Sequence, residues 1–189
     1  MKFASAALST VLLVFARPAV ADVSEAVSYR YYTAPIEPQH TLYNSLLKAS
    51  PIRENGQSYL GHTSWHVRWK LHWRSDAGGR CTLDRLHTHL KATITLPQRA
   101  PGDGRAEKTF GPFSRALHEH ELRHLAIARR AAQAINERIW QLPTMPTCNA
   151  LNQAANQVGE RVLDEARSEG RAFDQRTGHG RSEGAVLMH

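Results

Sequence analysis

The chain of 189 residues has only two cysteines, Cys81 and Cys148. So few exclude a miniature domain stapled by many disulfides. A second long apolar run is also missing. The one such run lies at the N-terminus, which excludes a polytopic membrane protein. No segment recurs at a fixed period, so a solenoid or propeller is excluded. Hydrophobic residues make up 41% and charged residues 22%, ordinary globular usage that rules out disorder throughout. The length suffices for one domain with a real core.

What is present begins with a routing signal. Residues 1–21 read as a secretory signal peptide: Lys2, an apolar stretch from Ala4 to Ala16, Pro18, and the small-x-small site Ala19-Val20-Ala21. No cysteine lies near the cut, which argues against a lipid anchor. The expected mature chain is 22–189, a single domain with no transmembrane segment. Loss of Lys2 and Arg17 lowers the formal charge of +7 by two. Export implies a secreted or periplasmic location, where Cys81 and Cys148 are expected to form one disulfide.

Residues 28–33 (SYRYYT) are β-prone, and Leu42, Leu46 and Leu47 mark a short helix that Pro51 ends. The clearest strand runs from Trp65 to Trp73. Trp65, Val67, Trp69, Leu71 and Trp73 alternate with His66, Arg68, Lys70 and His72, so one face is buried and one is wet. Asp76-Ala77-Gly78-Gly79 is turn chemistry. A second strand from about Cys81 to Leu96 puts Leu86, Leu90, Ala92, Ile94 and Leu96 on one face, and Arg85, His87, His89 and Lys91 on the other. The two should form an antiparallel hairpin. Its outer face would serve as a polar sheet surface, a metal collector or a polyanion-binding surface; its cations argue against a metal there. The tryptophans fall on the core face, so no specific nucleic-acid reader is expected.

A loop over 101–111 precedes a long helix expected over 113–142, which Pro143 and Pro146 end. A second helix, expected over 150–169, carries Leu151, Ala155, Val158, Val162 and Ala166 on one stripe and closes at Gly170. The fold class is therefore α+β: a small antiparallel sheet packed on a long helix and a second, C-terminal helix.

The long helix contains His120-Glu121-Leu122-Arg123-His124, the H-E-x-x-H pattern. Residues i and i+4 share a helix face, so the two imidazoles can grip one Zn²⁺, while Glu121 reaches water held by that ion. His120 and His124 lie on one apolar stripe with Phe113, Leu117, Ile127, Ala131 and Ile135, so they should point inward. His118 and Glu119 make a near-duplicate run. The metzincin extension is absent, because Ile127 and Arg130 stand where Gly and His are needed. A third ligand must come from elsewhere. His179 is the first choice and Asp174 the second; Glu160, Asp164 and Glu165 on the second helix are further candidates.

The stretches from Gly61 to Trp69, Gly79-Arg80-Cys81, Leu96-Pro97, the H-E-x-x-H helix, Cys148 and the tail Phe173-Asp174-Gln175-Arg176-Thr177-Gly178-His179-Gly180 together resemble the bacterial DUF922 proteins, described as predicted secreted zinc-dependent proteases. The likeness spans nearly all of the mature chain. Two departures stand out. The family's tail motif usually begins with Tyr where this chain has Phe173, and Glu-Gly often replaces Leu122-Arg123. The resemblance implies a zincin-like protease.

The expectation is thus an exported zinc metallopeptidase acting on a peptide or protein substrate. His120, His124 and His179 would hold Zn²⁺ and Glu121 would be the general base, with Arg123 or Thr177 steadying the oxyanion. The alternatives are a non-catalytic exported zinc-binding module and a cationic envelope-interaction protein working through the hairpin's basic face.

Overall fold

The computed structural model describes residues 20–35, 40–54, 56–98 and 107–187. The expected signal peptide lies mostly outside the described residues; its last two positions, Val20 and Ala21, begin the first strand, β1 (Val20–Thr33). There follow α1 (Leu42–Ala49), a small hairpin of β2 (Arg53–Glu54) and β3 (Gln57–Ser58), then β4 (His62–Ser75) and β5 (Cys81–Gln98). Two long helices, α2 (Glu107–Trp140) and α3 (Cys148–Thr177), and a 3₁₀ turn at Arg181–Glu183 complete the chain. Among the described residues no helix is long and apolar enough to cross a membrane.

The architecture is α+β, with β4 and β5 forming the expected antiparallel hairpin. The sheet is mixed rather than purely antiparallel. Its order is β1-β5-β4, and β1 runs parallel to β5. β4 is therefore an edge strand. Alternation along the hairpin matches the sequence pattern: Val67, Leu86, Leu90, Ala92 and Ile94 are buried, while His66, Arg68, Lys70, His72, Arg85, His87 and Lys91 are exposed. One bulge interrupts it. Trp73 faces Leu83 and His72 faces Arg85, leaving Asp84 unopposed. That extra residue flips the parity of β5, so Cys81 and Leu83 share the buried face with Leu86.

α2 begins before its expected start and stops at Trp140, and α3 outruns its expected span at both ends. α2 starts at Glu107, inside the expected loop, because Phe110 and Phe113 are both buried in the core. α3 runs through Gly170 to Thr177. A helical glycine costs about 1 kcal/mol, and burial of Phe173 beyond it more than offsets that. The helix stops instead at Gly178, whose left-handed backbone (φ 57°) lets its N–H bond the carbonyl of Asp174. The segment expected to be a tail is thus mostly helix.

α2 packs on the sheet and on α3, and α3 also reaches the sheet directly. Its sheet side presents Asn136, which accepts a hydrogen bond from the Thr88 hydroxyl of β5 at 3.0 Å. α3 approaches β4 closely at Gly159, where an added Cβ would collide with the ring of Trp69. The Trp69 indole N–H donates to Asn156 at 3.0 Å. Cys81 at the start of β5 and Cys148 at the start of α3 form the expected disulfide.

Candidate metal centre

His120 and His124 are one turn apart on α2 and both turn inward, as their stripe predicts; His120 is 3% exposed. Their Nε2 atoms are 3.2 Å apart. Asp174, from the part of α3 beyond Gly170, places Oδ1 3.1 Å from His120 Nε2 and 3.0 Å from His124 Nε2. Among the described residues these three form the one group of histidine, cysteine or carboxylate side chains whose ligand atoms converge, all within 4.8 Å of one another. Phe173 braces the imidazoles, stacked on His120 at 4.7 Å between centroids and edge-on to His124 at 5.1 Å. Phe173 thus supplies an apolar brace.

A fourth residue sets the protons. Glu183, in the 3₁₀ turn, places Oε2 2.8 Å from His120 Nδ1. An ionised carboxylate only accepts, so Nδ1–H donates and Nε2 of the neutral ring keeps its lone pair. Three electron-pair donors then face one another at 3.0–3.2 Å. They repel unless a positive charge lies among them, either a proton or a metal ion. Ligands of a tetrahedral ion with bonds of about 2.0–2.1 Å would stand about 3.3 Å apart. The triangle therefore has the donor chemistry and nearly the spacing of a zinc site.

Glu121 is 3% exposed and lies on the sheet side of α2. Its Oε2 accepts a hydrogen bond from the Thr63 hydroxyl at 2.7 Å. Its Oε1 sits against Gly61, where an added Cβ would come within 2.8 Å of both that oxygen and Leu117 Cδ1. Burial pushes the Glu121 carboxyl above the usual carboxylate range, against the lowering effect of the Thr63 hydrogen bond. Burial likewise acts to raise Asp174, but hydrogen bonds from His120 and His124 outweigh it and hold that carboxyl well below its ordinary range. For His120, burial disfavours the imidazolium, and the carboxylates of Asp174 and Glu183 reverse this to a raised value.

The remaining expected residues divide. His179 stands beside the centre rather than in the tight group: its Nδ1 is 3.5 Å from Asp174 Oδ1, and its half-exposed ring lies against Tyr59. Asp164 and Glu165 pair with Arg167 and Arg138 instead. Arg123 turns outward to Glu183, and the Thr177 hydroxyl donates to the carbonyl of Phe173. Gly61, Thr63 and Glu183 carry roles that no periodicity announces. The first two lie in the stretch that carries the family resemblance, and Glu183 had no signal beyond being a carboxylate in a polar tail.

A cavity of about 900 Å³ opens over the centre. His120, Glu121, His124 and Asp174 line it, together with Tyr59, His62 and Arg171. Residues 29–180 match DUF922, described as a bacterial protein of unknown function. The chain belongs to the DUF922 family. No curated protein and no solved structure matches it. The DUF922 span holds the imidazoles, Asp174, Glu121 and its Thr63 partner; Glu183 lies three residues beyond it. The family description attaches no activity, so the chemistry of this DUF922 site rests on its own residues.

Proposed function

We propose that the protein is an exported zinc-dependent peptidase, with His120, His124 and Asp174 as metal ligands and Glu121 as general base. The observation that carries this reading is the triangle of Nε2, Nε2 and Oδ1 at 3.0–3.2 Å beside a buried carboxylate. Bound zinc supplies a Lewis acid that polarises a carbonyl and brings the pKa of water toward about 7. The chain's own residues do the rest. Glu183 and Phe173 hold the His120 ring. Thr63 anchors one oxygen of Glu121, and the other, Oε1, takes a proton from the attacking water and returns it to the departing amine. Its raised pKa suits a base that must also act as an acid near neutral pH. The first four residues of the edge strand β4, His62 to Trp65, line the cavity, so a peptide backbone could add to that edge. The Cys81–Cys148 bond supports an oxidising, extracytoplasmic location.

The test is metal content with activity. Purified protein should carry one zinc per chain. Glu121→Gln should keep the metal and lose hydrolysis of a denatured protein substrate by about 10²–10⁴-fold. A protein without stoichiometric metal, or a fully active Glu121→Gln variant, ends the proposal. Asp174→Ala should lose the metal and His179→Ala should retain it. The second reading is a non-catalytic zinc module. It draws on the ligands coming from two helices, so that an ion would staple α2 to α3. In that case His120→Ala lowers thermal stability and no variant alters hydrolysis, because the parent has none.

A further inference from the structure

The side of the sheet turned away from α2 and α3 carries an ordered array of cations. In the β4–β5 register His66 stands opposite Lys91, Arg68 opposite His89, Lys70 opposite His87 and His72 opposite Arg85. Each of these four cross-strand rows sets one histidine against one lysine or arginine. Strands lie about 4.8 Å apart and alternate residues about 6.8 Å apart along each. The array is therefore two files of basic side chains, roughly 20 Å long. Each permanent charge, Arg68, Lys70, Arg85 and Lys91, thus stands opposite a histidine, and no two of them face each other across the strands.

The pairing of charges elsewhere makes the array distinctive. On the helical side Arg129 pairs with Glu25, Arg130 with Glu169, Arg138 with Glu165 and Arg167 with Asp164. On the open face the acids sit at one end. Asp22 bonds His87, and the bulged Asp84 takes Arg74 and Arg85. Among the described residues no acid pairs with Arg68, Lys70 or Lys91. Among the described residues the large exposed apolar side chains lie elsewhere: Tyr29 reaches His118 on the helical side, Tyr31 stacks on Tyr29, Trp73 faces Leu83 of the core side and Val186 lines the cavity over the metal centre. The rings on this face are histidine imidazoles, with His87 stacked beside His89, and among the described residues it carries no large apolar wedge for entering a bilayer.

We infer that this open face binds a linear polyanion, a flexible chain bearing phosphate or sulfate groups, through charge alone. A second copy of the protein is repelled by the same charges. The inference does not depend on the metal centre.

The experiment uses the full disulfide-bonded protein and fluorescent long-chain inorganic polyphosphate, with heparin as the sulfated arm and anionic phospholipid vesicles as the lipid arm. Arg68, Lys70, Arg85 and Lys91 supply four permanent charges. Binding should therefore weaken about 50-fold between 50 and 200 mM salt, at a slope near −0.7 per neutralised charge. The triple variant Arg68→Ser, Lys70→Ser and Lys91→Ser should bind at least 10-fold more weakly, with a slope shallower by about 2. A control triple on the helical layer, Arg130→Ser, Arg138→Ser and Arg161→Ser, removes the same net charge and should bind as the parent does. Chelator should leave binding intact, which separates this outcome from any failure of the peptidase reading. Equal binding by parent and face variant, equal weakening by the control, or capture by vesicles but by neither soluble polymer overturns the inference.

Discussion

The two faces of the β4–β5 hairpin follow the same backbone and have opposite chemistry. On the covered face, Val67, Leu86, Leu90 and Ile94 are buried under α2 and α3, and even the polar residues there are spoken for: Thr63 holds Glu121 and Thr88 holds Asn136. On the open face, Arg68, Lys70 and Lys91 pair with no acid among the described residues. A residue on the first face is constrained by volume and hydrogen bonding, and one on the second only by charge. The fold is therefore fragile where the site is built and tolerant where the array is displayed.

The comparison is most sharply broken at its covalent link. Replacing Cys81 and Cys148 together by Ala opens a loop of 67 residues. That should cost about 4 kcal/mol on the loop-entropy estimate and lower Tm by roughly 10 °C. A change below about 3 °C in calorimetry would show that the bond does not staple α3 to the sheet. Next comes Gly159→Ala, which drives a methyl into the Trp69 ring and should cost about 1–3 kcal/mol. Denaturant unfolding measures it, and a neutral result would mean that the helix–sheet approach has slack. Glu183→Gln keeps the shape and weakens the hold on His120, so zinc affinity should fall by about 10–100-fold in a competition titration. At the small end, Lys70→Ser on the open face should leave stability within about 0.5 kcal/mol. A larger loss would mean that the open face has a folding role after all.

Acidity tests the covered face differently. In chelator, the Asp174–His120 contact stabilises only while the carboxylate is ionised and the imidazole protonated. The Asp174 pKa is lowered on folding, so its share is present above the unfolded value of about 3.9 and is lost as pH falls through the folded one. The His120 pKa is raised, so its share is complete below about 6.5 and is lost as pH rises through the folded value. The Tm difference between parent and Asp174→Asn should peak between those limits. With zinc added, the peak should move to higher pH, because the ion needs the deprotonated ring. An optimum that zinc does not shift would count against His120 as a ligand.

Much of this was legible from local patterns. The alternation from Trp65 to Trp73 and from Leu86 to Leu96 forecast the hairpin and its wet face, and the 3.6-residue stripe on α2 forecast the inward histidines. The misses share a cause. Gly170 and the 101–111 loop read as helix stops because local propensity is weak beside the burial of Phe173, Phe110 and Phe113. The parity flip at Asp84 depends on register against β4, which no single strand encodes.

The sequence by itself determined which residue types this protein has to work with: paired imidazoles one helical turn apart with a carboxylate between them, two cysteines, and a strand of alternating tryptophans and cations. Only the tertiary structure decided that Asp174 joins the imidazoles while His179 stands at the rim, that Thr63 anchors Glu121, and that Glu183 orients His120. Periodicity reports which side of one element is buried. Asp174 and Glu183 reach the imidazoles across 50 to 63 residues of chain, and such meetings are set by how helices dock.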